Sequence, residues 1–189
     1  MPTPDRTSLA DIVAAGRSLL ETGGPSAVTM SAVAARVGVR APSLYKRVRD
    51  RDALIVLIAE ATADALTERL AASDPSIPGY ARTFRAFAHE QPEGFRLIFT
   101  TDGAAAATAR SAAPLLVAVR DVVGPEHELD AARLFTAWAM GFVTMELAGG
   151  FRMGGDVDGA FEFGLAAVQS GLAAQAPRAP GQVLPAHGS

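Results

Sequence analysis

Apolar residues recur along this chain at intervals of three and four, and almost nowhere at intervals of two, so the pattern predicts an all-helical fold. Leu9, Ile12, Val13, Gly16, Leu19 and Leu20 form the stripe of a first helix, with Ser8 as its cap and Gly23, Gly24 and Pro25 as its stop. Met30, Val33, Ala34 and Val37 then fall at i, i+3, i+4 and i+7 behind Thr29, which stands where an N-cap belongs. Gly38 follows the last periodic residue, where a helix end often needs a left-handed backbone. After a turn over Gly38 to Arg40, Pro42 suits the first turn of a further helix whose buried side is Leu44 and Val48. The last two of these three short helices have the spacing of a helix-turn-helix.

A fourth, longer helix opens at Asp50 or Asp52, carries Leu54, Leu57, Ile58, Ala61, Ala65, Leu66 and Leu70 on one side, and stops in the Ser73 to Gly79 segment. Tyr80, Phe84, Phe87 and Ala88 predict a fifth helix ending before Pro92, and Phe95, Ile98 and Phe99 a short sixth. Ala104 to Val123 reads as a seventh helix or a pair broken at Pro114. An eighth opens at Gly124 and Pro125, with Glu126, Glu128 and Asp130 favouring the positive end of its dipole, and runs through Leu134, Phe135, Trp138, Phe142 and Met145 to about Gly149. The ninth, from Asp158 to about Ala174, lines up Phe161, Leu165, Val168 and Leu172 beside the small residues Gly164 and Gly171. The expected division is a three-helix head over 1–50, a helical body over 51–175 entered through a continuous helix, and a Pro- and Ala-rich disordered tail over 176–189.

Charge distinguishes the head from the body. Arg36, Arg40, Lys46, Arg47, Arg49 and Arg51 are six cations within sixteen residues, opposed there only by Asp50, in a chain of net charge −3. From residue 61 onward nine cations face fourteen acids. A charge run alone also fits a solvated helix face; joined to helix-turn-helix spacing, it is the footprint of phosphate binding and points to double-stranded DNA.

The remaining composition narrows the alternatives. The 189 residues contain no cysteine, so disulfides and thiolate chemistry are excluded. No cationic segment followed by an apolar run opens the chain, and its apolar segments are interrupted by charge, so a cytoplasmic protein without membrane insertion is expected. His89, His127 and His187 pair with no spaced acid in a catalytic pattern, and Asp156 and Asp158 in GGDVDGAF fail the spacing of a calcium loop. No catalytic residue, cofactor or metal site is therefore expected.

Several of these residues carry a resemblance. Thr29, Ala35, Gly38, Val39, Leu44, Tyr45, Arg47, Val48 and Arg51 follow the helix, turn and recognition-helix signature of the TetR family of one-component transcriptional repressors, which the head resembles. Arg47 stands where that family usually has histidine and Val48 where it usually has phenylalanine. FAHEQPEGFRLIF and WAMGFVTMELAGGF are similar to the regulatory domain called WHG in part of that family, although Met140 precedes Gly141 where a His-Gly pair is typical. Together the two cover about residues 8–174.

The resemblance implies roles. Tyr45 would place its hydroxyl on a DNA phosphate, with packing against Leu54 as the plainer alternative; Lys46, Arg47 and Arg51 would neutralise phosphates; and Thr29 would offer phosphate its hydroxyl or simply cap its helix. Arg40, Ala41, Pro42 and Ser43 begin the recognition helix, where Arg40 could read guanine and its neighbours thymine methyls or shape. An apolar effector pocket would draw on Phe84, Phe87, Phe99, Trp138, Phe142 and Met145, with Arg96, Thr144 and Glu146 as orienting groups, unless the aromatics are simple core. The last two helices would join two copies in a four-helix bundle through Phe161, Gly164, Leu165, Val168 and Leu172, unless that stripe is an internal face. The expected function is a homodimeric DNA-binding repressor released from its operator by a small apolar effector. The alternatives are a helical hydrophobic-ligand or lipid-binding protein whose basic face meets an anionic surface, and a small enzyme of unrecognised type.

Overall fold

The computed structural model describes residues 7–101 and 105–177. Those residues form nine α-helices and no strand: α1 (Leu9–Ala27), α2 (Met30–Arg36), α3 (Ala41–Leu44), α4 (Arg51–Ala71), α5 (Ile77–Glu90), α6 (Pro92–Thr100), α7 (Ala105–Val123), α8 (Glu128–Leu147) and α9 (Val157–Ala173). The all-α architecture matches the helical periodicity of the chain.

Caps and turns set the head. Ser8 Oγ accepts from the Asp11 N–H at 3.0 Å while the Asp11 carboxylate accepts from the Ser8 N–H at 2.9 Å, a reciprocal cap on α1. Gly24, at φ 68° and ψ −174°, kinks α1 just before Pro25, at the expected stop. Thr29 Oγ1 accepts from the Ala32 N–H at 3.1 Å, and Gly38 turns the chain at φ 73°. Asp50, rather than Asp52, caps α4 by accepting from the Ala53 N–H at 2.8 Å.

Three boundaries, those of α3, α5 and α8, differ from the sequence pattern, and at α7 one of two open readings holds. The recognition helix α3 is only four residues long, and Tyr45 to Arg47 form a turn that still returns N–H groups of Arg47 and Val48 to the Leu44 carbonyl at 2.8 and 2.9 Å. Helix α5 begins at Ile77, because Ser76 Oγ caps it through the Gly79 N–H at 3.1 Å and Pro78 lies in its first turn, where no N–H is needed. Helix α7 is continuous through Pro114; its packing on α4 and α8 through Leu115, Val119 and Val123 outweighs one lost hydrogen bond. Helix α8 starts at Glu128, after a turn in which Gly124 adopts φ 80°. Of the expected tail, residues 178–189 lie outside the described residues.

Two hydrophobic clusters result. The first joins Ile12, Leu20, Val28, Val33, Leu44, Val48, Leu54 and Ile58, with Leu97 reaching in from α6. The second is built on Leu66, Leu70, Tyr80, Phe87, Phe95, Phe135, Phe161 and Leu165. Helix α4 serves both, giving Leu54 and Ile58 to the first and Ala63, Leu66 and Leu70 to the second. Each fully buried aliphatic or aromatic side chain contributes about 1.5–3 kcal/mol by leaving water. Gly16 permits the close approach of α1 to α4, since a Cβ there would overlap Ile58.

Candidate functional site

Burial sorts the helix-turn-helix into an inner and an outer side. Leu44 and Val48 are closed into the head cluster, which holds α3 and the turn after it against α1, α2 and α4. Arg40, Pro42, Ser43, Tyr45, Lys46 and Arg47 face outward, with Ala41 half-buried. Tyr45 is 53% exposed, which leaves about half of its surface in water. Thr29 serves as the cap of α2, and its hydroxyl lies 3.2 Å from Ser31 Oγ. The outer side therefore presents three cations, a phenol and the Ser43 hydroxyl on one short segment.

The bonds of Arg51, Arg36 and Arg49 lie within the head itself. Arg51 donates from Nε to the Val28 carbonyl at 2.8 Å and from Nη2 to the Pro25 carbonyl at 2.5 Å, so it satisfies the end of α1 and ties it to α4. Two of the three guanidinium nitrogens of Arg51 thus hold the chain's own backbone, while its side chain keeps 43% of its surface in water. Arg36 donates to Ser18 Oγ at 2.7 Å, bracing α2 on α1. Arg49 pairs with Asp50 at 2.6 Å, and that bond, after the Ala53 N–H, holds the Asp50 carboxyl below its ordinary pKa.

In the body, a cavity of about 110 Å³ is lined by Leu70, Tyr80, Phe84, Phe99, Leu115, Phe135, Thr136 and Met140 with two alanines. A second, of about 240 Å³, is lined by Phe95, Arg96, Phe99, Thr100, Met140, Thr144 and Leu147. Of the six aromatic and methionine residues expected at a pocket, the structure brings Phe84 and Phe99 to these walls. Phe87 is buried in the core, Trp138 and Phe142 pack on Phe161 with ring centroids 5.3 Å away in each case, and Met145 is exposed at the end of α8 beside Gly150. Helical spacing cannot say which side of a stripe faces a void, so Leu70, Tyr80, Phe135 and Met140 were not distinguishable as lining residues.

The stripe expected to meet a second copy turns inward. Phe161, Leu165 and Leu172 are buried by the chain itself, Val168 packs against them, and Gly164 lies under the Trp138 indole. The outward faces hold other residues: Leu134, Ala137 and Gly141 on α8, and Ala160, Phe163 and Ala167 on α9. Phe163 is 77% exposed.

Polar bonds tie the body's helices to one another and to the head. Arg85 on α5 forms a two-pronged pair with Glu146 on α8, donates to Asp158 on α9 at 2.6 Å, and lies 4.7 Å from the Phe161 ring centroid. His89 Nε2 approaches Glu146 at 3.1 Å. The Arg85 hydrogen bond holds the Glu146 carboxyl below its ordinary pKa, and the same bond raises that of Arg85. Glu146 therefore braces helices; it lines a charged cleft of about 500 Å³ with Arg82, Arg85, His89 and Asp158, and neither of the two apolar cavities. At the seam with the head, the Glu21 carboxylate accepts from the N–H groups of Gly94 at 2.7 Å and Glu93 at 3.2 Å, capping α6 from α1. Arg17 adds a bond to Gln91 at 2.7 Å, and a Cβ on Gly94 would crowd both Glu21 and Thr62. Nothing local in the sequence marks Glu21, because its partner lies more than seventy residues away.

A helix-turn-helix with a cationic outer side, seated on a separate helical body, is the architecture of a DNA-binding regulator. Residues 12–58 match the model of bacterial regulatory proteins of the tetR family, and residues 77–168 match a Tetracyclin repressor-like C-terminal domain. The chain belongs to the TetR family of transcriptional regulators. Among solved structures it is similar to the candidate regulatory protein SCO4313, at 26% identity and a TM-score of 0.73 over 84% of this chain and 93% of that one. It also shares its fold with SCO7222, a TetR from Streptomyces coelicolor, at 18% identity and a TM-score of 0.74 over 90% and 100% of the two chains. A TetR variant from Acinetobacter baumannii AYE in complex with minocycline aligns at 23% identity with a TM-score of 0.65, over 87% and 96%. No curated protein matches the chain. Among the described residues, no helix is long and apolar enough to cross a membrane.

Proposed function

We propose that the protein is a homodimeric transcriptional repressor that leaves its operator when a small apolar molecule enters the body. The observation that carries this reading is the outer side of the head, where Arg40, Lys46 and Arg47 stand exposed around Tyr45 while Leu44 and Val48 anchor the same segment from within. Lys46, Arg47 and the Tyr45 hydroxyl grip phosphates, and Arg40, Ala41, Pro42 and Ser43 meet base edges in the major groove. Thr29 adds the N-terminus of α2 as a further phosphate donor. Arg51 acts indirectly, by holding the end of α1 against α4.

Two heads on successive half-sites require two copies of the chain. The exposed faces of α8 and α9, with Leu134, Ala137, Gly141, Ala160, Phe163 and Ala167, suit a symmetric contact, since each patch is small or apolar and would meet its own image. The route from the body to the head runs along α6. Its Phe95 and Phe99 reach the cavities, its Leu97 packs in the head cluster, and its N-terminus receives Glu21 from α1. A ligand that prefers one position of α6 thereby shifts the population of head spacings.

Selection of bound duplexes from a random library, followed by fluorescence anisotropy on the winning site, tests the reading. Two chains per duplex and weaker binding at higher salt are expected. Retention on anionic vesicles with no duplex selected would overturn it in favour of a surface-binding protein.

A further inference from the structure

The two apolar cavities described above are neighbours, and Phe99 and Met140 line both. Phe99 lies at the end of α6, exposed on one side, and Met140 is an unbranched thioether on α8. A wall made of one edge-packed ring and one flexible side chain is easily opened; Phe99 contacts Phe95 and Phe84 only edge-on, with centroids 5.2 and 6.5 Å away. Opened, it joins the inner space of about 110 Å³ to the outer one of about 240 Å³, giving a single elongated chamber near the lower limit of small-molecule sites.

The chemistry of the lining selects what can enter. Among the described residues, the inner cavity carries no charged side chain, and its polar groups are the Tyr80 and Thr136 hydroxyls. Arg96 is the one charged side chain among the described residues of the outer cavity, and it is committed: it pairs with Glu93 and donates to the Leu147 carbonyl at 3.2 Å. That carbonyl belongs to the last turn of α8, the negative end of its dipole. A carboxylate entering beside it would face Glu93 and a helix C-terminus with the local cation already neutralised, so burial of its charge would go uncompensated. A hydroxyl or carbonyl group carries no such charge to bury: Thr100 Oγ1, which donates to the Arg96 and Leu97 carbonyls at 3.1 and 3.3 Å, keeps lone pairs to accept from a hydroxyl, and the Thr144 hydroxyl lines the same end.

We infer that the chamber formed across Phe99 and Met140 takes an uncharged, elongated hydrophobic molecule ending in one hydroxyl or carbonyl group, with the tail in the inner cavity and the polar end near Thr100 and Thr144. This deepens the effector reading and rests on it for its regulatory meaning, but binding can be measured without DNA.

Isothermal titration of the full chain with straight-chain primary alcohols and methyl ketones of increasing length, against the carboxylates of equal length, decides the matter. Affinity rises about fourfold per added methylene while the tail extends through the opened wall. The uncharged member of each pair binds at least tenfold more tightly than the carboxylate. In Met140→Trp, which fills the connection, the shortest ligands keep their affinity and the longest lose at least tenfold; Phe99→Leu, which widens it, preserves the length dependence and controls for misfolding of the tryptophan variant. Equal or tighter binding of the carboxylates, no dependence on length, or no binding of either series would overturn the inference. Binding as described without any change in DNA retention would leave the chamber standing and remove the repressor-release mechanism instead.

Discussion

The head and the body are both helical, yet they place function on opposite sides of their surfaces. The head closes an aliphatic cluster of isoleucine, leucine and valine around α1 to α4, and what it offers a partner is outside. The body packs aromatic rings at oblique angles, leaves space between α5, α6, α7 and α8, and what it offers is inside. The rings beside the cavities meet edge to face, Phe84 on Phe95 at 5.0 Å and Phe95 on Phe99 at 5.2 Å between centroids. On the proposed reading, a solid head keeps its cations in register with phosphates and a hollow body answers a ligand. Helix α4 and the Glu21 cap on α6 join the two behaviours.

That contrast predicts its largest effect for a single deletion in each region. Leu44→Ala, at a residue 1% exposed, is expected to lower stability by about 2–5 kcal/mol and abolish DNA binding. Phe99→Ala, on the half-exposed wall of a cavity, should cost less than about 1.5 kcal/mol. Chemical denaturation of both variants checks this, and equal losses would erase the distinction between a solid head and a hollow body.

Next in size is the division among cations. Arg51→Ala removes two bonds to backbone carbonyls and should lower the stability of the head by about 1 kcal/mol. Lys46→Ala should leave unfolding unchanged and reduce the slope of log affinity against log salt by about one. Thermal melts beside salt titrations of DNA binding separate the two, and a melt shift in Lys46→Ala would contradict the assignment. Phe163→Asp tests the outward face of α9: sedimentation should show monomers, with the helical content retained and operator affinity reduced at least tenfold, whereas a persistent dimer would place the interface elsewhere.

The smallest effect lies at the body's charged brace. Arg85 holds the Glu146 carboxyl below its ordinary value of 4.5, so the carboxylate contributes stability that is fully present above that pH and is lost as pH falls through the lowered folded value. Glu146→Gln should therefore flatten the acid limb of stability below pH 4.5 while lowering stability at neutral pH. An unchanged acid limb would show that the pair adds nothing beyond geometry.

The same contrast explains what could be read from the chain. Head contacts are local: Thr29, Gly38, Pro42 and Leu44 lie within a few residues of what they shape, so the turn and its outer side were legible from spacing and cap chemistry. The backbone bonds of Arg51 were not legible, because its partners, Pro25 and Val28, are more than twenty residues back. In the body every assignment depends on which helix lies opposite. The stripe Phe161, Leu165 and Leu172 is equally apolar whether it meets a second copy or the chain's own α8, and only the fold shows that it faces inward and Phe163 outward. Met140 departs from a family pattern, but its place between two cavities has no signature in sequence.

The central claim is that the outer side of the head grips DNA. Fluorescence anisotropy of the full chain on its selected duplex, repeated over a salt series for the unaltered protein and for Arg47→Ala, measures this most directly. The account predicts steep salt dependence, with Arg47→Ala weakening binding at every salt concentration and lowering the slope by about one. Binding unaffected by salt, or an Arg47→Ala variant whose affinity and slope both match the unaltered protein, would contradict it.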